Sequence, residues 1–414
     1  EGTPQVVEKE VTKIVEVVAT PEPEEQTPVI VLVGAEADTF DPAHQAGSMG
    51  LIRNVLDTLI TKDEAGNLQP GVATEWYPVD DQTWEFKIRE GLVAHNGEAI
   101  DANDVAYSLN RVYDPEVGAK GHYLWLAGNM QMDRAEVVDN YTVRLYTKDK
   151  SGPVPEFLWT WYILPQDHYS STPLEELARV PIGSGPYKFV LSEARKGQSY
   201  AVEAFEDYWQ GPPEVKKIIF KVVPEMSAAI AEINTGAADM ILVGPPIDLQ
   251  SQIDPKFATV FNQQGLRRVI MGIVFYRDPA MQDKRVRQAM NYGVDVQKII
   301  DSLLGGLTVR TGSFVNPPNV PPDLKPYPYD PEKALALLRE AGYEDRDGDG
   351  FVDRPDGTRL GLKMITTRGR WPSDWEVSQA VAADWMATGI YVEVEQMESA
   401  TYTKMLANAE ITGE

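Results

Sequence analysis

The sequence predicts an α/β protein built as two bodies, and three observations carry that expectation. At 414 residues the chain exceeds what one ordinary core encloses. Strand and helix periodicities alternate along most of it. Near two-thirds of its length, residues 267–276 (RRVIMGIVFY) form an almost wholly apolar run that suits a strand buried on both faces. One mixed unit precedes that run and a second follows it, so it reads as a crossing between two lobes, beside a cleft with a hinge.

Composition narrows the function classes. Hydrophobic residues make up 43% of the chain, enough for large cores, and no run of about 18 uncharged apolar residues occurs. A formal net charge of -25 argues against nucleic acid, whose affinity comes from Lys and Arg neutralising phosphates. It fits a self-repelling protein present at high concentration or near other charged matter. With no cysteine, disulfides, thiolate catalysis and Cys-based metal sites are excluded. Residues 1–28 place a thin valine stripe before Pro21, Pro23, Pro28 and a run of glutamates, the composition of a solvated acidic tether. Such a tether suggests processing, with an anchor, a lipid, just upstream.

The elements follow in order. Residues 29–33 make a short buried strand, and Asp41-Pro42 marks a turn. Apolar positions at helical spacing predict a helix over 49–61. Trp84, Phe86 and Ile88 alternate with charged residues as in a half-buried strand, and Asp101 with Asp104 opens a helix whose inner face is Val105, Leu109 and Val112. Asp139-Asn140 reads as a hairpin turn. Residues 153–165 (PVPEFLWTWYILP) are either a core-covering loop or the aromatic wall of a ligand cleft. Residues 181–190 (PIGSGPYKFV) are a glycine turn feeding a strand, without the Lys-Ser/Thr of a phosphate loop. A strand over 215–223, a helix ended by Gly236 and a strand over 239–243 predict a parallel pair with a right-handed crossover. Beyond the crossing run, one long helix is expected over 283–304. A proline-rich connection follows, and then a helix opened by Asp330-Pro331 and closed by Gly342. A strand over 360–366, a helix over 374–388, a strand over 390–395 and a helix over 401–409 complete the reading.

Catalytic signals are weak. The four histidines, 44, 95, 122 and 168, are isolated, and no G-x-S-x-G elbow occurs. A secreted hydrolase is therefore disfavoured, and no cofactor is required. Asp345, Asp347, Asp349, Asp353 and Asp356, with Gly350, follow the oxygen spacing of a calcium loop, although an Asp stands where the bidentate Glu usually sits. A structural calcium or a bare acidic turn both fit. Arg368, Arg370 and Trp371 follow a strand end, where a fixed guanidinium can hold a carboxylate by paired hydrogen bonds or lie in an exposed basic loop.

A series of ordered blocks then carries a resemblance: FDPAHQAG, LQPGVATEW, TWEFKIREGLVAHNGEAIDANDVAYSLNR, PIGSGPYKF, AFEDYWQGPP, INTGAADM, DKRVRQAMNYGVDVQKI and YDPEKALALLREAGY. Over about residues 29–411 the chain resembles the family 5 extracellular solute-binding proteins, the peptide-, nickel- and oligosaccharide-binding components of ABC importers. The resemblance implies a periplasmic-binding-protein-like type II fold, with two lobes around a cleft and an extra subdomain in lobe one. It implies a disordered tether over 1–28, lobe one over 29–266 with the inserted subdomain at about 45–180, and lobe two over 267–414, incomplete at its C-terminal end. It places Glu36, Ala37 and Ser48 at the cleft, and Arg368 where dipeptide binders read the ligand carboxylate. With Trp159, Trp161, Arg370 and Trp371 these are the expected ligand contacts. The segment that would hold a ligand's amino end is missing, so the chain looks like a fragment. The implied function is non-enzymatic: a monomeric, extracytoplasmic, lipid-anchored receptor delivering short peptides, or alternatively oligosaccharides, to the transmembrane subunits of an ABC permease.

Overall fold

The computed structural model describes residues 27–35, 39–44, 49–242, 244–245, 247–261, 272, 278–313, 320–321, 323–368, 373–398, 401–402 and 405. The strand Val29–Val33 lies inside a five-stranded sheet. It pairs in parallel with Lys217–Val222 on one side and Met240–Ile241 on the other. Ser199–Ala204 and Tyr187–Phe189 extend the sheet in antiparallel fashion. Its two faces serve different cores: Val31 enters the largest buried cluster, whereas Leu32 packs with Ala229 and Ile233 of helix Met226–Thr235.

The strand–helix–strand expected over 215–243 is present, and Gly236 ends its helix at φ 72°. Its strands do not pair with each other, however, because the N-terminal strand lies between them. A run of five aliphatic residues satisfies that central position, where both faces are covered.

Residues 73–147 carry a four-stranded antiparallel sheet in the order Ala73–Asp80, Thr83–Ile88, Thr142–Thr147, Met132–Asp139. Helix Ala102–Asn110 opens with the expected reciprocal cap between Asp101 and Asp104 and packs on the last of these strands. The helix expected over 49–61 stops at Val55, and Ile60 instead begins the strand Ile60–Lys62. Tertiary hydrogen bonds override the apolar spacing there: Leu59 N–H donates to the Trp161 carbonyl, and Ile163 N–H to that of Asp57.

The C-terminal part has its own core, drawn from residues 280–392. The strand, helix and strand expected over 360–395 are present, and Gly361–Thr366 and Tyr391–Gln396 pair in parallel across helix Asp374–Ala387. The single helix expected over 283–304 is two, Lys284–Tyr292 and Val296–Leu303. Asp295 breaks it by capping the second helix through Lys298 N–H at 3.0 Å, while its own N–H donates to Asp384 Oδ2 at 2.9 Å. Helix Pro331–Glu340 starts on the Asp330 cap with proline in its first turn and packs on Lys284–Tyr292. Apart from Gly272, the crossing run 267–276 lies outside the described residues, as does most of the helix expected over 401–409.

Candidate functional site

The described residues place an aromatic face with cations at its edge on the N-terminal part of the molecule. Two chain segments build it side by side. Residues 57–60 run antiparallel to residues 159–163, joined by the hydrogen bonds above and a bridge between Thr58 and Tyr162. Helix Met49–Val55 therefore brings Arg53, and strand Ile60–Lys62 brings Lys62, to the ring of Trp159 at the end of helix Val154–Leu158. The Arg53 guanidinium carbon lies 5.6 Å and the Lys62 ammonium 5.2 Å from the ring centroid, within cation–π range. Lys62 is also paired with Glu156 at 2.8 Å. Helix His122–Asn129 continues the face. Trp125 is 57% exposed, stacks on His122 at 6.1 Å and meets Phe157 edge-on at 6.1 Å. Burial, with the Arg53 charge beside it, lowers the His122 pKa, so the imidazole is neutral at pH 7.

The aromatic run 153–165 thus splits by alternation. Trp159 is half-buried and faces outward, whereas Trp161 is fully enclosed. The Trp161 indole N–H donates to the Ser108 carbonyl at 3.0 Å, and its ring meets Tyr123 at 4.7 Å. Trp161 therefore belongs to the core and offers no face to a ligand, which corrects the expectation that both tryptophans line a cleft.

Behind this face two polar anchors hold the loops, and sequence reasoning missed both. Asp57 accepts from Ser184 Oγ at 3.1 Å, Tyr208 O–H at 3.2 Å and Trp209 Nε1 at 3.1 Å. Burial pushes its carboxyl up to about 6 against those donors. His95 secures the same turn: its Nε2 lies 2.9 Å from the Gly185 carbonyl, and burial brings its pKa down to about 4. Gly183 and Gly185 are needed for close approach, since a Cβ would come within 2.3 Å of Leu56 and 2.6 Å of Val55 respectively. The second anchor is the Asp41–Arg111 pair, two 2.7 Å hydrogen bonds with both side chains buried. Burial raises the Asp41 carboxyl, but the guanidinium and the Ala43 N–H hold it below its ordinary value. The available signal was an acid inside an apolar run (NVLDTLI) and a serine between glycines.

The acidic loop comes together in part. Carboxylate oxygens of Asp345, Asp347 and Asp353 lie within 4.8 Å of one another, a set able to hold a hard cation. Asp349 is instead paired with Arg359, and Asp356 accepts from the Thr358 hydroxyl and N–H, so neither joins the set. The Asp345 carboxylate also accepts from Gly348 and Gly350 N–H at 2.7 and 3.0 Å, bonds that shape the turn without a metal. Arg368 is exposed just after strand Gly361–Thr366, beside Thr367, whose hydroxyl donates to Asp374 at 2.6 Å. Glu36, Ala37, Ser48, Arg370 and Trp371 lie outside the described residues.

Known proteins match this chain broadly. The profile of the bacterial extracellular solute-binding proteins, family 5 middle, matches residues 67–411. The heme-binding protein A of Haemophilus influenzae is 28% identical over 380 residues, covering 85% of this chain and 66% of the relative. The oligopeptide-binding protein AppA of Bacillus subtilis is 27% identical over 366 residues, covering 84% of this chain and 64% of that protein. The chain thus spans about two-thirds of the length of these relatives. Its fold matches the solved structure of HbpA2 from Haemophilus parasuis with a TM-score of 0.70 at 21% identity, over 93% of this chain and 78% of that one. The AppA structure, solved with a nonapeptide, gives 0.61 at 23% identity over 92% and 76%. The architecture is therefore the α/β fold of the type II periplasmic binding proteins.

Proposed function

Since the chain belongs to the family 5 bacterial extracellular solute-binding proteins, we propose that it is a receptor that captures short peptides in a cleft between two lobes and hands them to an ABC permease. The observation that carries this reading is the Trp125–Trp159 face with Arg53 and Lys62 at its rim. An exposed and a half-buried indole ring beside cations offer a peptide both apolar contact and charge, and ligand sites combine a mostly apolar wall with a few polar groups. The relatives named for oligopeptides support the same class of ligand. We place lobe one at 29–266 and lobe two at 267–414. Glu36, Ala37, Ser48 and Arg368 line the remainder of the cleft on the strength of the family resemblance, and Arg370 and Trp371 on their place after a strand end.

The protein acts without catalysis on this reading, as an extracytoplasmic monomer tethered at its N-terminal side. Asp345, Asp347 and Asp353 hold a structural calcium remote in role from transport. Among the described residues no helix is long and apolar enough to cross a membrane. An oligosaccharide receptor is the second reading, favoured by the exposed Trp125 ring as a stacking surface for sugar. Thermal shifts with a peptide panel and with cello- and xylo-oligosaccharides separate the two, because a ligand bound only by the folded state raises the melting temperature. Stabilisation by sugars alone would replace the peptide reading.

A further inference from the structure

Resting on the peptide-receptor reading, we infer that Arg53 and the Tyr162 hydroxyl form a carboxylate-binding subsite at the edge of the Trp125–Trp159 face. Charge pairing singles out Arg53. The other cation over Trp159, Lys62, is neutralised by Glu156 at 2.8 Å. Arg53 is exposed, rests on the Trp159 ring and has no carboxylate partner among the described residues. In a chain of net charge -25, a guanidinium on an aromatic platform with no acid paired to it among the described residues is positioned for an anion from outside.

Tyr162 supplies the second, independent observation. The residue is 2% exposed, and its hydroxyl proton finds no acceptor among the described residues, although buried polar atoms are nearly always satisfied. Burial raises the pKa of this phenol, and the charge of Arg53 together with its hydrogen bond to the phenol oxygen opposes that rise. A carboxylate held by the guanidinium would also accept the Tyr162 proton. His122 is neutral beside them and adds no competing charge. Guanidinium and carboxylate make paired, charge-assisted hydrogen bonds, while the Trp159 ring covers the apolar part of the same ligand residue. The carboxylate comes either from the C-terminus of a peptide or from an acidic side chain.

Calorimetry with phenylalanine-centred tripeptides tests this, with each peptide made with and without a glutamate side chain and with a free or amidated C-terminus. Arg53→Gln is expected to weaken carboxylate-bearing peptides about ten- to a hundredfold while leaving their uncharged counterparts unchanged. A loss that follows the glutamate assigns the subsite to side chains, and one that follows the free terminus assigns it to C-terminal carboxylates. Tyr162→Phe, which removes a single oxygen, is expected to weaken the same peptides severalfold without lowering the melting temperature. Equal effects of Arg53→Gln on charged and uncharged peptides overturn the subsite alone. Failure of every peptide to bind the parent chain overturns the peptide reading and the subsite with it.

Discussion

The Ser184 hydroxyl donates to the Asp57 carboxylate at 3.1 Å across 127 positions of sequence. This contact fastens the Gly183-Ser184-Gly185 turn to the chain just beyond the helix that carries Arg53. The position of the cation over Trp159 therefore depends on a polar contact some distance behind it.

Asp57→Asn tests that anchor through pH. The Asp57 carboxyl is raised to about 6 in the folded state, so the folded protein takes up a proton that the unfolded chain does not as pH falls from about 6 toward 4. That uptake relieves a penalty and adds stability on acidification. His95, lowered to about 4, works the other way: its contribution is complete above about 6.5 and is lost as pH falls toward 4. Removing the Asp57 proton should leave the His95 loss uncompensated. The melting temperature of Asp57→Asn is expected to fall more steeply than the parent's between pH 6.5 and 4, by about 1–3 kcal/mol of stability over the window. Parallel pH profiles would refute the assignment.

Arg111→Ala should cost about 3–5 kcal/mol, because it leaves the buried Asp41 carboxylate without its cation. Denaturant unfolding reads this directly. A loss below about 1 kcal/mol would mean that Asp41 finds water or another partner.

The two tryptophans of the 153–165 run should behave oppositely. Trp161→Ala is expected to destabilise the fold by about 3–5 kcal/mol, since it empties a fully enclosed site and removes the hydrogen bond to Ser108. Trp159→Ala should change stability little and weaken ligand binding. Unfolding curves and binding isotherms on both variants decide it, and a stable Trp161→Ala with impaired binding would reverse the assignment.

These contrasts also mark what the sequence made legible. Strand Val29–Val33, the Asp101–Asp104 cap, the hairpin at 139–140 and the strands Gly361–Thr366 and Tyr391–Gln396 were readable, because local periodicity and capping chemistry agree with the fold there. The helix boundary at Val55 and the break at 293–295 were not, since long-range bonds from Trp161 and Asp384 decide them. For the same reason Trp159 and Trp161 could not be told apart: spacing shows that both are aromatic and says nothing about which faces a neighbour. Arg53 gave no sequence signal, because its significance lies in its place over the Trp159 ring, which only the folded chain sets.

Calcium at Asp345, Asp347 and Asp353 predicts that millimolar calcium raises the melting temperature, that a chelator reverses the rise, and that Asp353→Ala abolishes it. An unchanged transition in all three conditions would leave the loop held by its own hydrogen bonds to Gly348 and Gly350.

Peptide capture is the central claim, and calorimetric titration of the 414-residue chain with short peptides is its most direct test. Saturable binding of peptides, weakened by about 1.5–3 kcal/mol in Arg368→Ala and lost for cello- and xylo-oligosaccharides, is the predicted result. Saturable binding of the oligosaccharides with no heat from any peptide would contradict it.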